Sequence, residues 1–561
     1  MIRMFETHKI RKQTELSDTL WKVRILDGSE LERDVFVPSC IEMLPGLGNY
    51  RGEAIFSKRF FAEGNIRLEF KGVSHTATVI LDGQEIASHY GAYTPFEAVA
   101  TDLKPGEHLL EVRTDNRFSE ASTVHVPNDY MTYGGITRPV ALEQLPGCFI
   151  QWAHYTPKRT GNSWACQAEI CIRNLEKLEK TVTVSCVLNG VRTELGIVTL
   201  EPEKATVIQG ILPAENVKEW TPESPVLYSV EALLIENGTP MDDLIERIGF
   251  REIKITGNKI LLNGAPIRIK GFCRHEDFGG FGCAIPTPAM QKDILFIKDM
   301  GGNAIRTSHY PNDERFLDLC DEQGILVWEE NHARGIKEAQ MKNPLFEEQC
   351  ETCNLEMVTA HYNHPSIYIW GVMNECASDT EIGRECYGKQ LAQLRSLDQS
   401  RPVTFASCRF THENGTNISI TDICLDLPDV VSYNMYPQWY IDVDVSAFLR
   451  EMQGRINEGP GAGKPFIVSE IGAGAIYGSH SVEHLKWSEE YQSEALEKQI
   501  TAVLSNPDCM GVYIWQFCDC RISSEWFYNR PNCHNNKGIV DDYRRPKLCY
   551  ETVKRLFHAY K

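Results

Sequence analysis

The feature that most narrows the fold of this 561-residue chain is a change of grammar near Lys254. Upstream, apolar residues alternate in period two between Gly, Pro, Asn and Asp. Downstream, short apolar runs alternate with helical stretches, which is how a parallel sheet with crossover helices reads. Candidate strands are 267–272, 304–308, 325–330, 367–372, 403–406, 430–434, 466–469 and 511–517. Eight is the number that closes a (β/α)8 barrel.

A chain this long cannot be served by one hydrophobic core. The upstream runs divide into two β-rich units. Residues 54–61, 66–70, 77–86 and 108–113 predict a β-sandwich over residues 1–148. Residues 165–172, 181–188, 205–211 and 227–235 belong to about seven short strands in about 100 residues, the pattern of an immunoglobulin-like sandwich over 149–253. The barrel is expected over 254–561, so the fold class is multidomain β and α/β.

Two glutamates close apolar runs inside the predicted barrel. Glu375 ends the run from Ser366, and Glu470 ends the run from Pro465. They are expected to follow strands four and seven, on opposite sides of the carboxyl-terminal mouth where such barrels hold their active sites. Two facing carboxylates are the minimum machinery for cleaving a glycosidic bond. Asn374, beside Glu375, offers a hydrogen bond to a sugar's 2-hydroxyl.

Composition excludes other classes. A formal net charge of −20 argues against nucleic-acid or anionic-membrane partners, although a local basic patch could hold an anionic substrate. The 19 cysteines are scattered, odd in number and without the spacing of a disulfide framework. Cys350 and Cys353 form a CxxC without a second pair, and His361 and His364 are read as packing or hydrogen-bonding residues, so no metal site is expected. No organic cofactor is expected either, because acid, nucleophile and charge clamp can all be side chains. The amino terminus lacks an apolar h-region and no run approaches the ~18 apolar residues of a membrane span, so the chain as given is expected to be cytoplasmic.

The order of sandwich, immunoglobulin-like domain and barrel, together with Gly271–Asp277, Arg306–Pro311, Asn374-Glu375 and Ser469–Gly472, resembles glycoside hydrolase family 2 over essentially the whole chain. Within it, Gly91–Glu97, Tyr133–Pro139 and the Asn-x-Lys-Gly element at Asn535, Lys537 and Gly538 resemble β-glucuronidases of bacterial, gut-commensal kind. The resemblance implies a jelly-roll, sugar-binding type for the first sandwich. It implies Glu375 as acid/base and Glu470 as nucleophile of a retaining, exo-acting enzyme. Asp129, His275, His309, Tyr436 and Tyr440 match substrate-binding positions, Trp515 stands where an aromatic face floors the sugar, and Arg306 is a structural residue orienting a carboxylate. Relatives often form dimers or tetramers, so a homo-oligomer is also an expectation.

The Asn-x-Lys element has a physical reading of its own. A uronic acid carries a carboxylate at C6, and selecting it requires a fixed cation with a directional donor beside it; Lys537 and Asn535 are those groups. The expected partner is therefore a small-molecule or oligosaccharide β-uronide. The sequence departs from its relatives where Cys376 follows the acid and Ile471 follows the nucleophile. A short segment between Trp328 and Asn363 predicts an open site suited to bulky aglycones. The unusual stretch Cys518–Cys533 leaves β-galacturonides open beside β-glucuronides. Neutral β-galactosides or β-mannosides, and a sugar-binding protein without turnover, are the remaining alternatives. Glu375 is expected to hold the proton and Glu470 to be ionised.

Overall fold

Short strands without a polar face must be covered on both sides, and the barrel strands are of that kind: all eight are buried along their whole length except at Lys270. In the computed structural model, which describes residues 2–28, 31–161, 163–525 and 530–560, they are β1 (Ile269–Cys273), β2 (Ala304–Thr307), β3 (Leu326–Glu330), β4 (Ile367–Gly371), β5 (Val403–Ser407), β6 (Val430–Asn434), β7 (Phe466–Ile471) and β8 (Cys509–Ile514). Every neighbouring pair is parallel, and β8 pairs with β1 to close the barrel. The eight strands of the sequence reading are these eight, with ends shifted by a few residues.

Side chains inside the barrel form a packed core. Ile269, Leu326, Trp328, Tyr368, Ile369, Ile467 and Tyr513 cluster there, and the Tyr368 and Tyr513 hydroxyls meet at 2.9 Å. Between strands and outer helices lies the larger core, with Ile294, Phe316, Met357, Leu391, Leu449, Leu496 and Phe557 buried together. Helix Glu314–Gln323 begins at Asp313, whose carboxylate accepts from the Arg315 amide, and ends at Gly324 in the left-handed conformation that favours glycine.

The amino-terminal sandwich is built on two long antiparallel strands, Glu53–Phe70 and Phe96–Asp115, in register from Glu53 opposite Asp115 to Phe70 opposite Phe96. Residues 54–61 and 66–70 are thus one strand, irregular around Gly64 but not interrupted. Residues 77–86, by contrast, span two strands, Thr76–Leu81 and Gln84–Tyr90, because Asp82-Gly83 makes a tight turn with positive φ at both positions. The second domain packs a three-stranded sheet against a four-stranded one, around Ile150, Ala168, Val184, Cys186, Ala232 and Phe250.

Contacts between domains are polar and buried. The Arg3 guanidinium forks onto Asp318 of the barrel at 3.0 and 2.8 Å, Arg138 of the sandwich pairs with Glu276 at 2.7 Å, and the Tyr133 hydroxyl donates to Asp277 at 3.0 Å. Trp220 of the immunoglobulin-like domain lies wholly buried in the barrel's inner cluster, its Nε1 donating to the Asp321 carbonyl. Among the described residues no helix is long and apolar enough to cross a membrane.

Candidate active site

The mouth of the barrel gathers its charges on Arg306, which closes β2 one residue from its end. Its Nη1 donates to Glu470 Oε1 at 2.9 Å, its Nε and Nη2 fork onto Glu330 at 2.9 Å each, and its Nη2 also reaches Asn374 Oδ1 at 2.7 Å. Asn434, the last residue of β6, donates to the same Asn374 oxygen at 3.1 Å and to Glu375 Oε1 at 2.9 Å. One hydrogen-bonded chain therefore runs from Glu470 through Arg306, Asn374 and Asn434 to Glu375. The Asn374 Nδ2 group, buried and without a partner among the described residues, is left for a ligand oxygen.

Glu375 does sit past β4, on a turn where Met373 and Glu375 both have positive φ, 49° and 53°. Neither is glycine, so each costs about 1–2 kcal/mol, a local strain that the surrounding hydrogen bonds hold in place. Glu470 differs from expectation: it lies inside β7, not after it. Irregular pairing of β7 with β6 beside Glu470 and with β8 between Val468 and Ile471 lets its side chain reach the mouth from within the strand.

Burial, and then the nearby Glu375 carboxylate, raise the Glu470 carboxyl to about 8, against the opposing pull of Arg306, Tyr436 and Arg334. The expectation of an ionised Glu470 is therefore not met by burial, which favours the protonated form in the free enzyme. Tyr436 Oη donates to Glu470 Oε2 at 2.5 Å and Arg306 donates to Oε1, and both bonds favour the ionised form of Glu470.

Lys537 is 2% exposed and has no carboxylate partner among the described residues. Its Nζ donates to the Tyr440 hydroxyl at 3.1 Å and sits 5.2 Å from the ring centres of Tyr436 and Tyr440 and 5.6 Å from that of Trp439. An aromatic cage of this kind stabilises a cation without neutralising it. The cage is open, since Tyr440 is 63% exposed. Asn535 donates to Asp129 Oδ2 at 3.3 Å and its second amide hydrogen remains for another acceptor. Behind them Lys547 Nζ donates to Asp519 at 2.8 Å, to the Asn536 carbonyl at 3.1 Å and to the Ala475 carbonyl at 2.7 Å, while Asp519 accepts the Gly538 amide at 2.8 Å.

Asp129 reaches the barrel mouth from a loop of the amino-terminal sandwich. Burial would raise its carboxyl, but Arg334, Arg530 and Lys537 outweigh that and hold it at about 2. Arg334, which the sequence reading missed, follows β3 and lies 3.4 Å from both Asp129 Oδ1 and Glu375 Oε2. It also donates to Asn128 at 2.6 Å. Its position past a barrel strand was the signal available. Asn434, at the end of β6, carried the same signal and was also missed.

His309 Nδ1 meets Glu330 at 2.7 Å and its Nε2 lies 4.0 Å from Glu470. His275 Nδ1 meets the Tyr310 hydroxyl at 3.1 Å. Burial lowers both imidazoles well below their ordinary range, so they are neutral, and the Nε2 atom of each is buried without a hydrogen-bond partner among the described residues. Trp515 immediately follows β8; His309 stacks on it at 5.0 Å and His275 meets it edge-on. A cavity of about 430 Å³ brings together Asp129, Arg334, Glu375, Tyr436, Tyr440, Glu470, Trp515 and Lys537. Every residue read as catalytic or substrate-binding therefore lies in this cavity or hydrogen-bonds to a residue that lines it, except His275 and His309, which reach it through Trp515.

The other candidates lie away from this cavity. Cys350 and Cys353 lie on helix Pro344–His361, Cys350 buried and Cys353 half-buried. His361 bonds Glu329 at 2.9 Å. His364 lies with Asp318 and Asp321, a grouping that could ligate a metal, but Arg3 forks onto Asp318, and His364 and the Ser366 amide engage Asp321. These acids are already answered within the protein.

Paired carboxylates in a polar, aromatic-walled cavity at the carboxyl-terminal mouth of a TIM barrel define a glycoside hydrolase. The chain belongs to glycoside hydrolase family 2: its TIM barrel domain matches residues 253–561, its sugar binding domain 35–146, and a further family 2 domain 148–251. The β-glucuronidase of Streptococcus agalactiae serotype V is 28% identical over 534 residues, covering 87% of this chain and 84% of that one. Among solved structures, a β-galacturonidase from Eisenbergiella tayi bound to galacturonate is 55% identical, with a TM-score of 0.96 and 100% of both chains covered. The β-glucuronidase of Ruminococcus gnavus is 25% identical, with a TM-score of 0.85 and 99% of both chains covered.

Proposed function

We propose that this protein is a retaining, exo-acting β-uronidase that hydrolyses β-glucuronides or their C4 epimers, β-galacturonides. The observation that carries this reading is Lys537: a buried ammonium, caged by three aromatic rings, with no carboxylate of its own among the described residues. A substrate carboxylate at C6 would supply the missing charge, and a neutral sugar would leave the cation unpaired. Asn535 adds a directional donor, and Asp129 and the neutral histidines offer acceptors to sugar hydroxyls.

In the proposed mechanism Glu470, ionised and aligned by Arg306 and Tyr436, attacks the anomeric carbon. Glu375 gives its proton to the leaving oxygen. The Glu470–sugar ester removes the negative charge beside Glu375, which then takes a proton from water; that water releases the sugar with net retention. Asn374 Nδ2 is the donor available to the 2-hydroxyl. Proton NMR of the first-formed sugar should show the β-anomer of the uronic acid. An α-anomer would exclude double displacement.

The likeness to glucuronidases of several organisms supports the glucuronide reading. A specific observation favours the galacturonide: the relative of 55% identity over the whole chain is named for it. Part of the stretch Cys518–Cys533 considered for that choice, residues 526–529, lies outside the described residues. Comparing kcat/KM on p-nitrophenyl β-glucuronide, β-galacturonide, β-galactoside and β-mannoside decides it. Higher rates on the neutral glycosides would refute a uronidase, and saturable binding without turnover would make the protein a sugar-binding one. The loop between β3 and the following short helix Glu338–Met341 covers only residues 331–337, which supports an open aglycone side. Cytoplasmic residence and self-association are part of the same proposal.

A further inference from the structure

A second cavity, of about 320 Å³, lies between the immunoglobulin-like domain and the amino-terminal underside of the barrel. Its walls carry Lys158, Arg159, Arg251, Lys254 and Arg401 against one acidic residue, Glu252. Most of these charges are already answered. Lys254 pairs with Glu252 at 2.8 Å, Arg159 with Glu219 at 3.2 Å and Arg401 with Asp398 at 2.6 Å.

Arg251 and Lys158 are different: among the described residues neither has a carboxylate within salt-bridge reach. Arg251 is 7% exposed. Its Nε and Nη2 donate to the backbone carbonyls of Pro365 and Ile367 at 2.8 and 2.7 Å, and its Nη1 has no partner among the described residues. Carbonyl oxygens solvate a guanidinium but do not neutralise it, and a buried charge without a counterion is costly. Burial, and then the neighbouring Arg401, pull the Arg251 group down to about 9, the direction expected where no anion compensates it. In a chain of formal net charge −20, a cationic pocket is a local reversal of the overall field.

We propose that this cavity, lined by Lys158, Arg251 and Arg401, is a binding site for a small oxyanion: the phosphate, sulfate or carboxylate group of a ligand of roughly monosaccharide size. The volume fits a small organic ligand better than a bare ion. The walls supply the Nη1 group of Arg251, which has no partner among the described residues, and the exposed ammonium of Lys158 at the rim, with the Arg401 guanidinium beside them. The site lies at the starts of β4 and β5, away from the catalytic mouth, and bridges two domains. A ligand there would strengthen their docking.

The test is calorimetric unfolding of the full-length protein in phosphate, sulfate, glucuronate or galacturonate against chloride at equal ionic strength, in wild type and in a Lys537→Met background that removes the clamp at the catalytic mouth. A saturable rise in Tm is expected in both backgrounds. Lys158→Glu should raise the half-saturating concentration about tenfold or more while leaving turnover unchanged, and it remains informative should an Arg251 variant fail to fold. Saturation by phosphate or sulfate alone identifies a tetrahedral group, and saturation by the uronates identifies a carboxylate. The proposal is overturned by a rise that is linear in salt, which is general exclusion of these ions from the surface. It is equally overturned by a rise that ignores Lys158→Glu, or by one that disappears with Lys537→Met.

Discussion

A raised nucleophile carboxyl is the residue-scale property that sets the pH dependence of this site. Glu470 is raised to about 8 by burial and by Glu375, so it holds a proton at neutral pH and ionises only as the pH climbs toward that point. Turnover needs Glu470 ionised, because a protonated carboxyl cannot attack the anomeric carbon. We therefore predict that kcat/KM for a uronide rises as the pH approaches about 8, with no limb from His275 or His309, because burial keeps both neutral. A pH–rate profile checks this, and a kcat/KM already level from about pH 6 upward would show Glu470 ionised in the free enzyme. Glu470→Gln should lower kcat by roughly 10⁴-fold or more while the protein stays folded. Lys537→Met should cost uronide kcat/KM roughly ten- to 150-fold more than a neutral β-hexoside, the worth of a charged hydrogen bond. Equal losses on both substrates would remove Lys537 from carboxylate recognition.

Elements explain which of these residues could be read in advance. Glu375, Glu470 and Trp515 announced themselves because each terminates an apolar run, and a run that ends in a polar or aromatic residue marks a barrel mouth. Arg334 and Asn434 stand at strand ends too, but a single arginine or asparagine in a loop has many commoner uses, so spacing alone did not single them out. Lys547 and Asp519 were invisible for another reason: their role is to hold backbone, and backbone contacts leave no residue pattern. That role carries its own prediction. Asp519 is raised to about 6 by burial, which outweighs the opposing pull of Lys547. As the pH falls through that value Asp519 gains a proton, its hold on Lys547 and on the Gly538 amide weakens, and the Asn535–Lys537 segment loosens. The uronide KM should then rise below pH about 6 while the KM for a neutral hexoside does not. Asp519→Asn should fix the weakened state at all pH values, raising the uronide KM by on the order of tenfold. Steady-state kinetics on both substrates across pH 5 to 8 would show whether KM, rather than kcat, carries the change.

At the scale of the whole molecule the barrel is not self-sufficient, although its eight strands were the easiest part of the fold to read. Its site borrows Asp129 from the amino-terminal sandwich, where Arg334 lies 3.4 Å from Asp129 and the same distance from Glu375. Its underside is closed by Trp220 from the immunoglobulin-like domain, and Asp318 on its helix Glu314–Gln323 is matched by Arg3 near the chain's start. None of these pairings could be read from local periodicity, since each joins residues that are far apart in sequence and lie in elements with complete patterns of their own. Removing residues 1–253 would leave Asp318 a buried carboxylate without its counterion, uncover the apolar barrel floor beneath Trp220, and leave Arg334 beside Glu375 with no Asp129 to share its charge. Breaking a buried pair by deleting one partner costs about 3–5 kcal/mol, a large part of the stability of an ordinary domain. The isolated barrel, residues 254–561, is therefore expected to unfold at lower temperature than the full chain and to lack uronide turnover even where it remains soluble. Asp129→Asn in the full-length protein separates the two effects: it removes the charge that Arg334 answers while keeping Trp220 and Arg3 in place. It should lower kcat/KM by roughly ten- to 100-fold with a Tm close to wild type. Turnover by the isolated barrel within tenfold of the full chain would show that the sandwich only decorates the site.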